Sequence, residues 1–301
     1  MALDSCAERA ATHTTSFRVG GVSVRVAGKD HNDVALDPLL EAFRCQTKCP
    51  DIDLQVEWTP SLIAPGGRKL FDSGSIWRLY EDVVGLQFDF AAPAFSGKTY
   101  KRLFVDHSFL HATLQMSESC FGETAIPPYP LEYPLDELLV THRLTQERAI
   151  ELHSCGIVAD KVSNLFVGHS GAGKSTTSRL WATYSGVDIL SDDRIIVRSH
   201  SGQILMYGTP WHGEAVFALP ASSPVARIFV IEHGLGNVIT PLTASQAVAE
   251  LFARSFVPFH RHEYVDSALT FLQELVESVP VYRYSFEPDQ RAVEKILHFH
   301  D

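Results

Sequence analysis

Residues Gly168-His169-Ser170-Gly171-Ala172-Gly173-Lys174-Ser175 satisfy the pattern G-x-x-x-x-G-K-S/T at each fixed position. In such a loop the glycines let the backbone curl with its N–H groups turned onto phosphate oxygens, and the positive end of a following helix adds to the attraction. Lys174 is then placed to reach the β and γ phosphates, Ser175 to put its hydroxyl on Mg²⁺, and Thr176 to continue the cradle into the helix. A second set of groups follows at Asp192-Asp193, 17 and 18 residues past Ser175. Two adjacent carboxylates suit phosphoryl transfer: one can hold Mg²⁺, and the other can accept a proton from an acceptor hydroxyl.

The elements around these residues are those the chemistry requires. Asn164-Leu165-Phe166-Val167 is short, apolar and partly β-branched, as a buried strand should be, and Thr176 to Tyr184 can form the helix after the loop. Val187 to Leu190 reads as a strand delivering the two aspartates to its carboxyl end, where ligands gather in open α/β sheets. Further strands are expected at 151–159, 194–199, 227–232 and 281–286. Helices are expected at 135–149, 244–254, 264–278 and 288–299, the last opened by Pro288 in its first turn.

The N-terminal half has a different texture. Strand signals recur at 17–26, 52–58, 75–80, 83–90, 101–105 and 111–116, separated by clusters such as Ala64-Pro65-Gly66-Gly67, and only 38–43 reads as helix. Ile126 to Pro134 carries four prolines in nine residues and marks the joint between two domains. The expected organisation is a loose tail over 1–15, a β-rich α+β domain over 16–134 and an α/β catalytic domain over 135–301.

Bulk properties exclude several classes. The chain has 301 residues, 45% of them hydrophobic, and a formal charge of −11 without any lysine or arginine run, which argues against a nucleic-acid partner. No stretch approaches 18 consecutive apolar residues, and Met1 to Arg9 lacks the pattern of a signal peptide, so a cytoplasmic protein without a membrane partner is expected. Five scattered cysteines form no disulfide framework. Cys45 and Cys49 have no second pair to complete a metal site. His260 and His262 read as a surface turn, and Arg254 as a helix-end cation with an open option of contacting phosphate.

The stretch from Leu152-His153 through the glycine loop to Leu190-Ser191-Asp192-Asp193-Arg194 resembles the C-terminal domain of the HPr kinase/phosphorylase superfamily. That superfamily includes the precursor-peptide kinases of lasso-peptide gene clusters, with ATP-dependent phosphoenolpyruvate carboxykinase a more distant cousin. The resemblance is specific over about 150–235. It implies a P-loop kinase fold on a mixed sheet, with Asp192 as general base, Asp193 as a Mg²⁺ partner and His153 beside the transferring phosphate. It also places Glu214, in Gly208 to Glu214, near an acidic metal-site position. Ser154 and Cys155 intervene between His153 and Gly156, and no Glu-Arg-Gly-Leu-Gly run lies near Glu214, so the resemblance carries over neither phosphorylase activity nor HPr as substrate. The Leu-His-Ser-x-Gly form is closer to the precursor-peptide kinases.

The expectation is therefore an ATP- and Mg²⁺-dependent kinase acting on a serine or threonine hydroxyl of a peptide or small protein, such as the C-terminal serine of a precursor peptide. Two alternatives stand beside it: a kinase of a small-molecule hydroxyl such as free serine, and a non-catalytic ATP-binding regulator. The acceptor, the nucleotide base and the role of the N-terminal domain are left open, as is a homo-oligomeric state.

Overall fold

A computed structural model describes residues 13–121 and 129–299. Residues 1–12 of the expected tail and the first prolines of the expected joint lie outside the described residues. The chain divides into two compact units, Met1–Arg18 with Ser23–Asp136 and Val19–Val22 with Glu137–Asp301.

The first unit is built on an eight-stranded sheet in the order β1-β2-β3-β8-β7-β6-β5-β4. Its strands are β1 (His13–Val19), β2 (Val22–Gly28), β3 (Ile52–Thr59), β4 (Arg68–Asp72), β5 (Trp77–Glu81), β6 (Gly85–Ala91), β7 (Thr99–Asp106) and β8 (His111–Ser117). β3 pairs in parallel with both β2 and β8, and β4 to β8 form an antiparallel run, so the sheet is mixed. Two short helices, α1 (Pro38–Glu41) and α2 (Glu118–Phe121), accompany it. The stretch read as one strand over 17–26 is two. Gly20 and Gly21, with φ of 59° and 79°, turn the chain between β1 and β2. Consecutive positive φ angles are the hairpin geometry that two glycines reach without strain. Ordered strand begins at His13, inside the segment expected to be tail.

α3 (Leu135–Leu144), which belongs to the second unit from Glu137 onward, is shorter than expected, and Ala149 already starts β9 (Ala149–Ala159). The other strands of this unit are β10 (Val162–Val167), β11 (Val187–Ser191), β12 (Arg194–His200), β13 (Gln203–Gly208), β14 (Ser222–Pro224), β15 (Arg227–His233), β16 (Val238–Pro241) and β17 (Val281–Phe286). They follow the order β14-β13-β12-β9-β10-β15-β17-β16, with β11 also paired to β9. β10, β15 and β17 run parallel, and the remaining pairs are antiparallel. The chain is thus an α/β protein with two mixed sheets.

Alternation along β10 fills both faces of this sheet, because successive strand side chains point opposite ways. Leu165 and Val167 join Leu152, Ile228 and Val230 beneath α5 (Ala244–Phe252) and α6 (His262–Ser278). Phe166 joins Cys155, Ile157 and Phe229 beneath α4 (Lys174–Trp181) and α7 (Gln290–Leu297). Each fully buried Leu or Phe of this kind contributes about 1.5–3 kcal/mol. The strand leading into the glycine loop is therefore packed on both sides, and its carboxyl end is a fixed platform.

Candidate active site

The register of β9 assembles the site. On one edge β9 is paired by β10, with Val167 opposite Ser154, so the loop begins beside His153, whose carbonyl accepts from Gly168 N–H at 3.1 Å. The other edge is shared: β12 covers its first half, with Arg194 opposite His153, and β11 its second half, with Ser191 opposite Gly156. The turn between β11 and β12, which holds Asp192 and Asp193, is thereby set against the middle of β9. Ser154 N–H donates to the Asp193 carbonyl at 2.9 Å and fixes it there. Residues 40 positions apart in sequence, His153 and Asp193, become hydrogen-bonded neighbours.

The glycine loop ends at Gly173, which caps α4 at φ 100° with no side chain capping the helix. The first N–H groups of a helix have no intrahelical acceptor, so this end offers uncompensated donors and positive potential. A methyl at Gly173 would stand 2.7 Å from Phe286 Cζ and 3.1 Å from His233 Cε1, so space and conformation both demand glycine. Lys174, almost fully buried, folds back across the loop, and its Nζ donates to the carbonyls of Gly168 (3.2 Å) and His169 (3.3 Å). Burial pulls its pKa below the usual lysine value against the opposing charge of Asp193, 3.5 Å away. His169 and Ser170 are exposed at the loop tip, Gly171 is open, and Ala172 is buried against the platform.

His153 Nε2 lies 2.8 Å from Asp193 Oδ1 and 2.7 Å from Lys174 Nζ. One nitrogen cannot both donate to the carboxylate and accept from the ammonium. The tautomer of His153 decides which of the two contacts Nε2 serves, and Asp193 keeps the Lys174 charge 3.5 Å away in either case. Asp193 also accepts from Arg194 Nη1 at 2.7 Å. Burial alone would raise the Asp193 pKa, but the His153 hydrogen bond and the Arg194 and Lys174 charges hold it below the usual carboxylate value.

Asp192 is in a different situation. It is fully buried, and Ser175 Oγ donates to its Oδ2 at 3.0 Å. Its carboxylate also accepts the N–H groups of Gly213 (3.0 Å), Ala215 (2.9 Å) and Phe217 (3.2 Å). About four lone-pair positions are available on a carboxylate, and four donors occupy them. The family resemblance implied Asp193 as the metal partner and Asp192 as the base; the hydroxyl of Ser175 is hydrogen-bonded to Asp192. A Cβ on Gly213 would stand 2.8 Å from Asp192 Oδ2 and 3.3 Å from Ser175 Oγ, so this close approach also requires glycine. Glu214 lies between two of the Asp192 donors, Gly213 and Ala215, with its side chain exposed and its carbonyl accepting from Arg179 Nη2 at 2.9 Å.

Arg194 ties the cluster to the unit's interior. Its Nε contacts Glu137 Oε1 at 2.5 Å and Glu151 Oε1 at 3.3 Å, and its guanidinium lies 4.0 Å from the Phe256 ring centroid. Glu151 is fully buried and accepts from Thr141 Oγ1 at 2.6 Å. Burial, reinforced by the nearby Glu137 charge, raises its pKa well above the carboxylate range. Sequence reading passed over Glu137, Glu151 and Phe256; the available signal was a glutamate inside the apolar strand 149–159. Arg254 Nη1 donates to the Glu250 carbonyl (2.8 Å) and carboxylate (2.5 Å), its Nε has no hydrogen-bond partner among the described residues, and its own carbonyl accepts from His153 N–H at 2.8 Å.

Among the described residues no group of three His, Cys, Asp or Glu side chains forms a ready metal cage. Mg²⁺ commonly uses one or two protein oxygens and completes its shell with phosphates and water; Ser175 Oγ, whose proton goes to Asp192, keeps lone pairs for such an ion, while Asp192 itself is saturated by its four donors.

No protein-family model matches the chain, and no curated protein matches it. Among solved structures, the HPr(Ser) kinase/phosphatase from Coxiella burnetii aligns over 49% of this chain and 93% of its own, at 12% identity and a TM-score of 0.30. Among the described residues no helix is long and apolar enough to cross a membrane.

Proposed function

We propose that the second unit is a phosphotransferase that uses Mg²⁺ and ATP to phosphorylate a serine or threonine hydroxyl, with a peptide or small protein as acceptor. The observation that carries this reading is the convergence, at one uncapped helix N-terminus, of a buried lysine, a Ser–Asp pair and a second carboxylate held by His153. A nucleotide binder without chemistry has no need of the second carboxylate.

Loop N–H groups and Lys174 bind the triphosphate and neutralise charge on it; for this Lys174 exchanges its loop carbonyls for phosphate oxygens. Ser175, oriented by its hydrogen bond to Asp192, would hold Mg²⁺ through Oγ, and the ion would supply further charge neutralisation. Asp193, 23% exposed and held by donors on three elements, is the carboxylate placed to orient the acceptor and take its proton. The acceptor oxygen forms its bond to the γ-phosphorus as the bond from that phosphorus to the β–γ bridging oxygen breaks. ADP leaves, and the hydroxyl proton passes to Asp193. His153 and Arg194 keep Asp193 in place after Lys174 turns to phosphate.

The test is transfer from γ-labelled ATP to a panel of serine-ended peptides, free serine and threonine, and small carrier proteins. Label on a peptide or protein, dependent on Mg²⁺ and lost in Lys174→Ala, is the expected result. Label on free serine or threonine alone would replace the acceptor class. Tight ATP binding with no labelled acceptor would point to the regulatory alternative.

A further inference from the structure

On the assumption that the glycine loop binds a nucleoside triphosphate, we propose that His233 and Leu235, on the turn after β15, form the seat for the nucleotide's purine base. The acceptor machinery lies on one side of β10, where β9 carries His153 and the β11–β12 turn carries Asp193. In an in-line transfer the acceptor and the nucleoside occupy opposite ends of the triphosphate. With the γ end at Asp193 and the chain of phosphates crossing the start of α4, the nucleoside emerges on the other side of β10. That side is β15 and then β17, both parallel to β10, so their carboxyl ends share the loop's edge of the sheet.

Those two carboxyl ends are His233 and Phe286. The His233 ring is exposed, yet it touches the loop: its Cε1 is 3.1 Å from where a Gly173 Cβ would stand. Phe286, buried behind it, holds the ring at a centroid distance of 5.4 Å. Two residues on, Leu235 is 86% exposed between Gly234 and Gly236. The turn is pinned. Gly234 N–H donates to the Phe286 carbonyl (3.1 Å), Gly236 N–H to Glu287 Oε1 (2.9 Å), and Glu287 N–H to Asn237 Oδ1 (2.9 Å). A fixed turn that displays an aromatic ring and an isobutyl group beside a phosphate cradle matches the flat apolar faces of a purine, whose stacking contributes without any edge-specific hydrogen bond.

The experiment compares Mg²⁺-dependent binding of ATP and of inorganic tripolyphosphate to wild type, His233→Ala, His233→Phe and Leu235→Asp. The seat predicts an ATP affinity about tenfold weaker in His233→Ala and Leu235→Asp, largely restored in His233→Phe, with tripolyphosphate binding unchanged throughout. Unaltered ATP affinity in both weakened variants would overturn the seat, as would equal losses for the two probes, which would make His233 a prop for the loop. Wild type binding neither probe would overturn the nucleotide reading and the seat together.

Discussion

Two carboxylates set among cations, Asp89, buried in the first unit, and Asp193, part-exposed in the second, have opposite surroundings. Asp89 faces Arg102 across β6 and β7 and accepts from its Nε and Nη2 at 2.6 Å each, with Gln87 Nε2 adding a third donor at 2.8 Å. Both side chains of the pair are only 4% exposed. Asp193 takes its donors from three elements, β9, α4 and β12, and keeps an open side. The first arrangement is closed to solvent and holds one cation, so removing either charged member strands the other. The second is redundant: Lys174 can leave Asp193 for a ligand while His153 and Arg194 remain. Redundant, part-open donors are what a charge that must exchange partners during a reaction requires.

That contrast can be broken from the structural side first. Arg102→Met should cost about 3–5 kcal/mol in denaturant unfolding, because Asp89 is left charged and buried, whereas Arg102→Met with Asp89→Leu should recover most of the loss. Neither change should alter ATP binding by the folded protein. Lys174→Ala should do the reverse: Mg²⁺-ATP affinity in a calorimetric titration falls by on the order of a hundredfold, the scale of a charge-assisted hydrogen bond or two. Its stability should change much less than that of Arg102→Met.

The smallest effect concerns pH. Because the folded-state pKa of Asp193 is depressed, its contribution to stability is present above the unfolded carboxylate value of about 3.9 and is lost as pH falls through the lower folded value. Asp193→Asn should therefore flatten the stability curve below about pH 4 and leave its slope near neutrality unchanged. Acid titration monitored by near-ultraviolet circular dichroism checks this.

Much of the site was legible because its spacing is local. The glycine loop, its preceding strand and the aspartate pair fall within a short stretch, and strand–loop–helix follows from composition. The enclosure of Asp192 was not legible, because the donors that saturate it are backbone N–H groups of 213, 215 and 217, and any residue type but proline supplies those. Glu137 and Glu151 were missed because only the registry of β9 with β12 and the approach of α3 bring them to Arg194. β4 escaped for another reason: Arg68–Asp72 is an edge strand with mostly exposed side chains, so it carries no apolar alternation.

The central claim is that Asp193 serves the acceptor while Asp192 serves the Ser175 side, and single-turnover transfer from bound γ-labelled ATP tests it directly with Asp192→Asn and Asp193→Asn side by side. The account predicts that Asp193→Asn binds Mg²⁺-ATP within a few-fold of wild type and transfers about 10²–10⁴-fold more slowly, while Asp192→Asn is impaired already in Mg²⁺-dependent binding. Wild-type transfer by Asp193→Asn, together with normal binding and lost transfer in Asp192→Asn, would contradict it.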